Sequence, residues 1–242
     1  MRAVVVAIAL GMKGCATLPS GRPAPRDPFE RFNRSVFRMN TALDHAVVRP
    51  LACGSQKVPA PISTGVGNFV SNLFYPLTLV NDSLQGNFHA ALDDVARLIL
   101  NTTVGLGGVF DPATAARLPR NYEDFGITLG KWGVPSGPYL VLPFLGPSTL
   151  RDALATTPQA YAYIVIPGPA IGVGLYGTDM IQSRAELLPA DPLVESAYDP
   201  YALARSVYLQ RRDFRVNGDA ISLSAAADPP QFSEKIRCSA DR

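Results

Sequence analysis

The most unusual absence in this chain is of charge between residues 132 and 178, where Arg151 and Asp152 are the only charged side chains. Charged residues make up 17% of the whole chain, so the depletion is local. A membrane-spanning helix needs about 20 predominantly apolar residues. Here prolines at 135, 138, 143, 147, 167 and 169 interrupt the stretch, and proline removes a backbone donor that a helix needs. We therefore expect short apolar segments joined by turns.

Metal-ligating and basic side chains are also scarce. The three cysteines, Cys15, Cys53 and Cys238, have no CxxC spacing, and there are only two histidines, which argues against a zinc site. The net charge is only +2, whereas nucleic-acid-binding domains carry a clustered basic face. We expect no metal ion, no cofactor and no nucleic-acid partner.

Catalytic motifs have little support. Residues 172–177 (GVGLYG) fit the GxGxxG pattern of dinucleotide-binding loops, but such a loop follows a strand directly, and two prolines interrupt the approach here. We interpret these glycines as close packing in an apolar hairpin. There is no GxSxG motif, and capping or solvation explains the adjacent Glu123 and Asp124 as well as acid–base chemistry does. The sequence does not predict an enzyme.

The N-terminus, MRAVVVAIALGMKGCA, combines a basic residue, a short apolar run and a small residue before Cys15. The run is too short to span a bilayer but suits a signal peptide. Gly14–Cys15 resembles a bacterial lipoprotein processing site, although Lys13 replaces the usual small neutral residue. We predict a signal peptide over 1–14 and a lipidated Cys15 beginning a tether over 15–26. The alternative is a plain signal peptide with an incidental cysteine, and lipidation would leave Cys53 and Cys238 as the remaining pair for a disulfide.

An amphipathic helix is predicted from Asp27, a suitable N-cap followed by proline, to about Arg49–Pro50. Its apolar stripe consists of Phe29, Phe32, Val36, Met39, Leu43 and Val47. The stripe either packs on a core or lies in a membrane interface, and the sequence does not separate the two.

Further helices are predicted along the chain. Residues 58–81 form another uncharged run, interrupted by proline and glycine, and residues 82–100 return to helical periodicity. The apolar stripe of the second segment consists of Phe88, Leu92, Val95 and Ile99, with Asp93, Asp94 and Arg97 off it. Three Asp–Pro pairs, at 111–112, 191–192 and 199–200, suit helix starts. The last helix is predicted to end at Asn217–Gly218, before a flexible tail over 219–242.

Glycines recur at positions 126, 130, 133 and 137, interleaved with aromatic and apolar residues. Small residues on one face let a backbone or an acyl chain approach closely, and Trp132 and Tyr139 suit a membrane interface. Backbone polar groups in lipid must be satisfied within the protein. We therefore predict a mainly α fold embedded in one leaflet, with a partly polar interior. An ordinary soluble core with a long loop is the alternative.

Several stretches together resemble the MlaA (VacJ) family of outer-membrane lipoproteins. They include DPFERFNRSVFRMN at 27–40, LNTTVGLGGVFD at 100–111, EDFGITLGKWGVPSGPYLVLPFLGPSTLRD at 123–152 and DPYALARSVYLQRRDF at 199–214. The resemblance covers residues 27–218. The order of glycine, proline and aromatic residues in 123–152 is hard to reach by chance.

The resemblance implies a single ring-like domain of amphipathic helices over 27–218, in the inner leaflet of the outer membrane beside a trimeric porin. The family removes mislocalised phospholipids from the outer leaflet and passes them to a periplasmic lipid-carrier protein, which maintains lipid asymmetry without a cofactor. By matching position, the helix from Asp27 lies at the leaflet. The family's hairpin at the channel corresponds to Phe125, Gly126, Leu129, Gly130, Trp132, Gly133, Val134, Pro135, Gly137, Pro138, Tyr139, Leu140, Pro143 and Phe144.

We expect this hairpin to form a mobile apolar gate. A separate polar wall of the channel is expected to pass the phospholipid headgroup. Two alternatives of other classes are kept. One is a structural lipoprotein that scaffolds porins without moving lipid, and the other is a soluble periplasmic lipid carrier. The protein is expected at the outer membrane, lipid-anchored and facing the periplasm.

Overall fold

The computed structural model describes residues 27–165 and 168–218. The predicted signal peptide, tether and C-terminal tail lie outside the described residues. Cys53 is disulfide-bonded, and its partner also lies outside them, so the predicted pairing with Cys238 stays a prediction.

The first helix, α1 (Glu30–Leu43), begins two residues later than predicted, because Asp27 is not its N-cap. Phe29 occupies that position without a side-chain hydrogen bond. Asp27 is instead buried and accepts hydrogen bonds from Asn33, Tyr201 and Arg205. Long-range partners therefore outcompete the local capping geometry.

The predicted end of this helix at Pro50 is also wrong. The chain continues through a π-helical turn, Asp44–Val48, into α2 (Arg49–Ser55). The backbone N–H of Arg49 reaches back to the carbonyl of Asp44, and Pro50 falls in the first turn of α2, where a missing N–H costs little.

The uncharged run at 58–81 forms one long helix, α3 (Ala60–Leu84), which the expectation of a broken segment did not foresee. Pro61 lies in its first turn, where proline is tolerated. Pro76 lies inside it, so one carbonyl a turn earlier loses its N–H partner. The helix survives because it packs along its length on α4 (Phe88–Thr103) and on α8 (Pro169–Leu187).

Two short helices and one hairpin follow. Asp111 caps α5 (Pro112–Ala115), as predicted, and Asp124 caps α6 (Phe125–Lys131). Strands β1 (Tyr139–Leu142) and β2 (Gly146–Thr149) pair antiparallel, with Tyr139 opposite Thr149 and Leu142 opposite Gly146. The prediction of a mainly α fold is confirmed, with this small hairpin added.

The remaining helices are α7 (Leu150–Val165), α8, a 3-10 turn (Leu188–Ala190), α9 (Asp191–Glu195) and α10 (Pro200–Asn217). Asp199 caps α10 as predicted, whereas Asp191 is the first residue of α9 and Ala190 its N-cap. The GVGLYG motif lies inside α8. The interpretation of these glycines as part of an apolar hairpin was therefore wrong. A helical position also excludes a phosphate-binding loop at this motif.

The core lies where α1, the β-hairpin and α10 meet. It contains Val36, Tyr139, Val141 and Tyr201. The predicted stripe of α1 divides between both of its interpretations: Val36 is buried in this core, Phe29 and Leu43 are half-buried, and Phe32 and Met39 are exposed.

Two asparagines of α1 fasten the hairpin. The side-chain amide of Asn33 donates to the carbonyl of Tyr139 at 3.0 Å, and its oxygen accepts from the N–H of Val141 at 2.9 Å. One heptad later, Asn40 makes the same pair of bonds, to the carbonyl of Leu142 and from the N–H of Phe144, both at 2.9 Å.

A buried ionic group, which we name the Asp152 cluster, joins α10 to α6 and α7. It consists of Asp124, Arg151, Asp152, Tyr208 and Arg212. Arg212 donates to both carboxylates, reaching Asp152 at 2.7 and 3.0 Å. Burial opposes the charged form of Asp152, but Arg212, Tyr208 and Arg151 outweigh that effect and lower the pKa of its carboxyl. Removing charges from water costs several kcal/mol unless they are paired in this way.

Candidate functional site

Helix α4 turns its apolar side away from the protein. Phe88, Leu92 and Ile99, on the predicted stripe, are 69%, 68% and 58% exposed, while Asp94 and Arg97 are 0% and 2% exposed. A surface helix of a water-soluble protein has the opposite arrangement. The predicted periodicity is therefore confirmed, and the apolar stripe is the exposed side of the helix.

The charges that α4 buries are satisfied by specific partners. Arg97 donates to both carboxylate oxygens of Asp111 at 2.8 and 2.9 Å and to the carbonyl of Leu118 at 2.7 Å. Asp94 accepts from the hydroxyl of Tyr75 at 2.6 Å and from the amide of Asn121 at 3.0 Å. The inward side of α4 therefore faces a polar interior in which each buried charge has specific hydrogen-bond partners.

Helix α3 extends the same outward apolar surface. We name this surface the apolar belt, and its members are Ile62, Val66, Phe69, Leu73, Val80 and Leu84 of α3 and Phe88, Leu92, Val95 and Ile99 of α4. Contiguous exposed apolar surface of this extent marks a membrane or protein contact. The alternative of an ordinary soluble core does not account for it. None of the described helices is long and apolar enough to pass through a bilayer.

Behind the belt, the opposite side of α3 lines a cavity of about 560 Å³. Helix α8, the 120–124 segment, Arg215 of α10, and Ser55 and Gln56 at the end of α2 complete its walls. Polar residues dominate the α3 wall, namely Ser63, Thr64, Asn68, Ser71, Tyr75 and Thr78. One helix therefore presents apolar side chains to the outside and polar side chains to the cavity.

The cavity also carries charge of both signs. Its charged side chains are Arg120, Glu123, Asp124, Asp179, Glu186 and Arg215. Asp124 is neutralised by Arg212 of the Asp152 cluster, and Glu123 lies 4.0 Å from Lys131 and accepts from Gln85. The other four make no ion pair within 4.0 Å in the part of the chain described.

A pair of buried acids lies directly behind this wall. Tyr75 and Asn121 line the cavity and bind Asp94, and Asp94 lies close enough to Asp82 to act on its pKa. Burial raises the pKa of Asp82 to about 7, Asp94 and Glu123 act in the same direction, and Lys131 opposes them. Each acid has an Oδ2 atom without a donor among the described residues. A proton held between the two carboxyls would satisfy both atoms.

The predicted gate, residues 125–144, is divided among three kinds of structure. In α6, Phe125 and Leu129 are half-buried, and Gly126 and Gly130 lie against other helices. A Cβ on Gly126 would lie 2.5 Å from atoms of Arg212 and Asp152, and one on Gly130 would lie 2.7 Å from Arg151. These two glycines let the Asp152 cluster approach the backbone.

The other two glycines of the series, Gly133 and Gly137, lie in the turn after α6 with φ of +89° and +68°. The expectation that all four glycines share one face was therefore wrong. Trp132 is exposed and donates its indole N–H to the carbonyl of Leu84 at 3.0 Å. Val134 and Pro135 are exposed beside it, and Pro138 is half-buried.

The last part of the predicted gate is the β-hairpin. Tyr139 and Leu140 are buried in β1, whereas Pro143 and Phe144 form its exposed tip. Phe144 adopts a φ of +66°, which is uncommon for a bulky residue. Every predicted gate residue is described, and none lines the 560 Å³ cavity. Gly126 lines a second cavity of about 250 Å³ between the hairpin and α10.

The cavity residues were not singled out from the sequence, although a signal exists. Polar side chains recur at positions 64, 68, 71, 75 and 78, at helical spacings within the uncharged run. The proline and glycine content of that run obscured this periodicity. Within the described ranges, no group of three or more His, Cys, Asp or Glu side chains is arranged to hold a metal ion.

Comparison with known proteins identifies the family. The family model described as MlaA lipoprotein matches residues 25–215. The intermembrane phospholipid transport system lipoprotein MlaA of Escherichia coli strain K12 is 38% identical over 228 residues, which cover 90% of each chain. The protein of the same name from Haemophilus influenzae is 34% identical over 238 residues, covering 94% of this chain and 95% of its own.

A solved structure described as "Structural basis for maintenance of bacterial outer membrane lipid asymmetry" has the same fold, with a TM-score of 0.69 and 38% identity. The match covers 79% of this chain and 99% of the other. The resemblance read from the sequence is confirmed by these matches, which extend over nearly the whole chain. The chain belongs to the MlaA lipoprotein family.

Proposed function

We propose that this protein takes mislocalised phospholipids out of the outer leaflet of the outer membrane and passes them to a periplasmic lipid-carrier protein, which maintains lipid asymmetry. Membership of the family and the names of its relatives support this function. The observation that carries it is the polar cavity of about 560 Å³ directly behind the apolar belt.

Each side of this arrangement suits one part of a phospholipid. The apolar belt contacts acyl chains, and each fully covered large apolar side chain contributes about 1.5–3 kcal/mol. A charged headgroup cannot cross hydrocarbon without polar partners, and the hydroxyl, amide and charged groups of the cavity supply them. The lipid thus moves with its headgroup in the cavity and its chains toward the belt. No bond is made or broken, so the proposed function is not catalytic.

The segment 125–144 remains our proposal for the gate. Its exposed apolar residues occur at both of its turns, Trp132 and Val134 in the first and Phe144 at the hairpin tip. The turn at Gly133 and Gly137 needs positive φ, which glycine adopts freely. Movement of these turns would open or close a path for the acyl chains beside the Asp152 cluster.

Anchoring and partners complete the proposal. Cleavage after residue 14 and lipidation of Cys15 would hold the protein in the outer membrane on its periplasmic side, with 15–26 as a tether and 219–242 as a flexible tail. The 27–218 domain would form a ring around the cavity and lie beside a trimeric porin. Its exposed α1 residues, Phe32 and Met39, would lie at the leaflet.

The primary test measures surface-exposed phospholipid in a deletion strain of the native bacterium, complemented with wild type or Gly133→Trp. We expect deletion to raise outer-leaflet phospholipid and wild type to restore it, while Gly133→Trp fails because a bulky side chain occupies the gate turn. The matched control is Gly86→Trp, which also has positive φ and no atom within 4 Å of an added Cβ but lies in the α3–α4 turn. Equal failure of both variants would contradict the gate assignment, and no change on deletion would contradict the function.

A cavity variant separates transport from the two alternatives. Thr78→Trp fills part of the cavity wall, whereas Thr103→Trp places the same side chain on an exposed position of α4. We expect only Thr78→Trp to raise surface-exposed phospholipid while both variants stay in the membrane. A porin scaffold would tolerate Thr78→Trp, and a soluble carrier would leave the membrane fraction in high salt.

A further inference from the structure

We propose that the cavity selects phospholipids whose headgroup carries a primary ammonium next to the phosphate, over headgroups that carry the phosphate alone. This inference rests on the proposed function and names the substrate class of the same cavity. Two arginines, Arg120 and Arg215, receive the phosphate, and two acids of α8, Asp179 and Glu186, receive the ammonium.

The two arginines are held around one residue. The guanidinium of Arg120 lies over the ring of Tyr122, 5.1 Å from its centroid, and also donates to the hydroxyl of Ser71. Arg215 donates to the backbone carbonyl of Tyr122 at 2.7 Å. Both side chains are therefore fixed by neutral partners and retain donors for an anion.

These arginines differ from those that stabilise the fold. Arg212 and Arg184 each reach two carboxylates within 3.1 Å, whereas Arg120 and Arg215 have no carboxylate within 4.0 Å among the described residues. Burial and the nearby Arg211 lower the pKa of Arg215, and Glu123 and Asp124 offset that shift only in part, so no carboxylate neutralises Arg215 by direct contact. A phosphate diester is the complement of such a pair, because guanidinium groups bind phosphate oxygens through paired hydrogen bonds.

The acids occupy the α8 side of the cavity. Asp179 and Glu186 are seven residues apart on one helix, so they lie on the same face, two turns apart. Neither makes an ion pair with a described residue. Burial raises the pKa of Asp179, and Arg120 opposes that shift, which places the arginine within electrostatic range but beyond contact.

A headgroup with both charges fits this arrangement best. Its phosphate pairs with the arginines and its ammonium with the acids of α8, so each charge of the headgroup faces an opposite charge of the cavity. A headgroup without the ammonium brings negative charge into a cavity that already holds two unpaired carboxylates, which is unfavourable. The volume of about 560 Å³ lies within the range of about 300–1,000 Å³ typical of small-molecule sites, and is ample for a headgroup with part of its glycerol.

The test uses the purified full chain in detergent, incubated with an equimolar mixture of phosphatidylethanolamine and phosphatidylglycerol that have identical acyl chains. Native mass spectrometry counts each bound lipid. We expect phosphatidylethanolamine to be favoured about five- to tenfold, the effect of one or two partly exposed ion pairs. Asp179→Asn with Glu186→Gln should bring the ratio close to one and leave total binding intact.

Other variants locate the effect. Glu186→Gln alone, at an exposed position, should lower the ratio partway without risk to the fold. Glu195→Gln, an exposed acid outside the cavity, should leave the ratio unchanged. Arg120→Gln with Arg215→Gln should reduce binding of both lipids. An equal ratio in the wild type, or a ratio unmoved by the α8 substitutions, overturns the headgroup selection and leaves lipid transport standing. Failure of the wild type to bind either lipid overturns both.

Discussion

Two regions of this protein use amphipathic helices in opposite directions. Where α1, the β-hairpin and α10 meet, apolar and aromatic side chains such as Val36 and Tyr201 point inward. In the α3–α4 hairpin the inward side chains are polar, and Leu92 and Ile99 point outward. Helical periodicity alone is the same in both regions. What lies behind the helix, a packed core or a polar cavity, decides which side is buried.

Different interactions stabilise the two regions. The first region contains its own core and paired charges, so its stability should depend little on lipid. The α3–α4 hairpin leaves its large apolar side chains uncovered, and burial of such surface contributes about 25 cal/mol per Å². Its stability should therefore increase when acyl chains or detergent cover the belt.

Removing a buried ion pair from the first region should have the largest effect on the stability of the protein. Arg212→Ala leaves the carboxylates of Asp124 and Asp152 without their main partner, and removing one partner of a buried ion pair costs about 3–5 kcal/mol. Thermal unfolding in detergent measures the loss. Arg211→Ala, at the exposed neighbouring position, should change stability by less than about 0.5 kcal/mol. Similar losses in both variants would mean that the Asp152 cluster does not hold α10 in place.

Changing the outward side of the second region should affect membrane binding instead of folding. Leu92→Asp puts a charge on the belt at a side chain that is 68% exposed, so about 1.5–3 kcal/mol of membrane affinity should be lost, with more from the charge itself. Flotation with vesicles measures this, on protein lacking residues 1–26. Leu193→Asp, on the 64% exposed Leu193 of α9, is the matched control. A large drop in unfolding temperature of Leu92→Asp would instead mean that Leu92 packs within the protein.

The smallest expected effect concerns the acid pair behind the cavity wall. Because the pKa of Asp82 is raised to about 7 in the folded protein, the folded state holds a proton that the unfolded chain releases near pH 4. Its contribution to stability is therefore present at low pH and is lost as pH rises toward 7. The groups facing Asp82 are Asp94 of α4, Glu123 of the 120–124 segment and Lys131 of α6.

We expect Asp82→Asn to remove this pH dependence, a difference of about 1–2 kcal/mol between pH 5 and pH 8 relative to wild type. Chemical unfolding of both proteins at each pH gives the difference in their free energies of unfolding. Asp111, Asp152 and Asp199 have lowered pKa values and the opposite pH trend, but both proteins contain them, so their effect cancels in this difference. Asp93→Asn, on the same helix as Asp94, should follow wild type. Parallel curves for wild type and Asp82→Asn would rule out the shared proton.

The sequence predicted those helix starts that depend on residues close together in the chain. Asp111 and Asp199 cap their helices because the capping bond joins residues three apart. Asp27 has the same local pattern, but its partner Tyr201 lies 174 residues away, beyond any local rule. The prolines and glycines of α3 predict breaks, but the helix is continuous because packing on α4 and α8 holds it together.

The function and the site were predictable to different degrees. The order of glycine, proline and aromatic residues in 123–152 identified the family, because that order is specific to it. The cavity could not be predicted in the same way, since its residues come from the end of α2, from α3, α8 and α10 and from the 120–124 segment, and no short stretch contains them. Periodicity gave the stripe of α4 but carries no information on what the stripe faces.

The asparagine pair of α1 has a consequence for association between chains. A two-stranded hairpin leaves one edge of each strand with unpaired N–H and C=O groups, and such an edge invites a strand from another molecule. On β1 the carbonyl of Tyr139 and the N–H of Val141 are bound by Asn33, and where the strand ends Asn40 binds the carbonyl of Leu142 and the N–H of Phe144. Two side chains thus occupy positions where a third strand would pair, which disfavours the addition of a strand from another molecule at this edge.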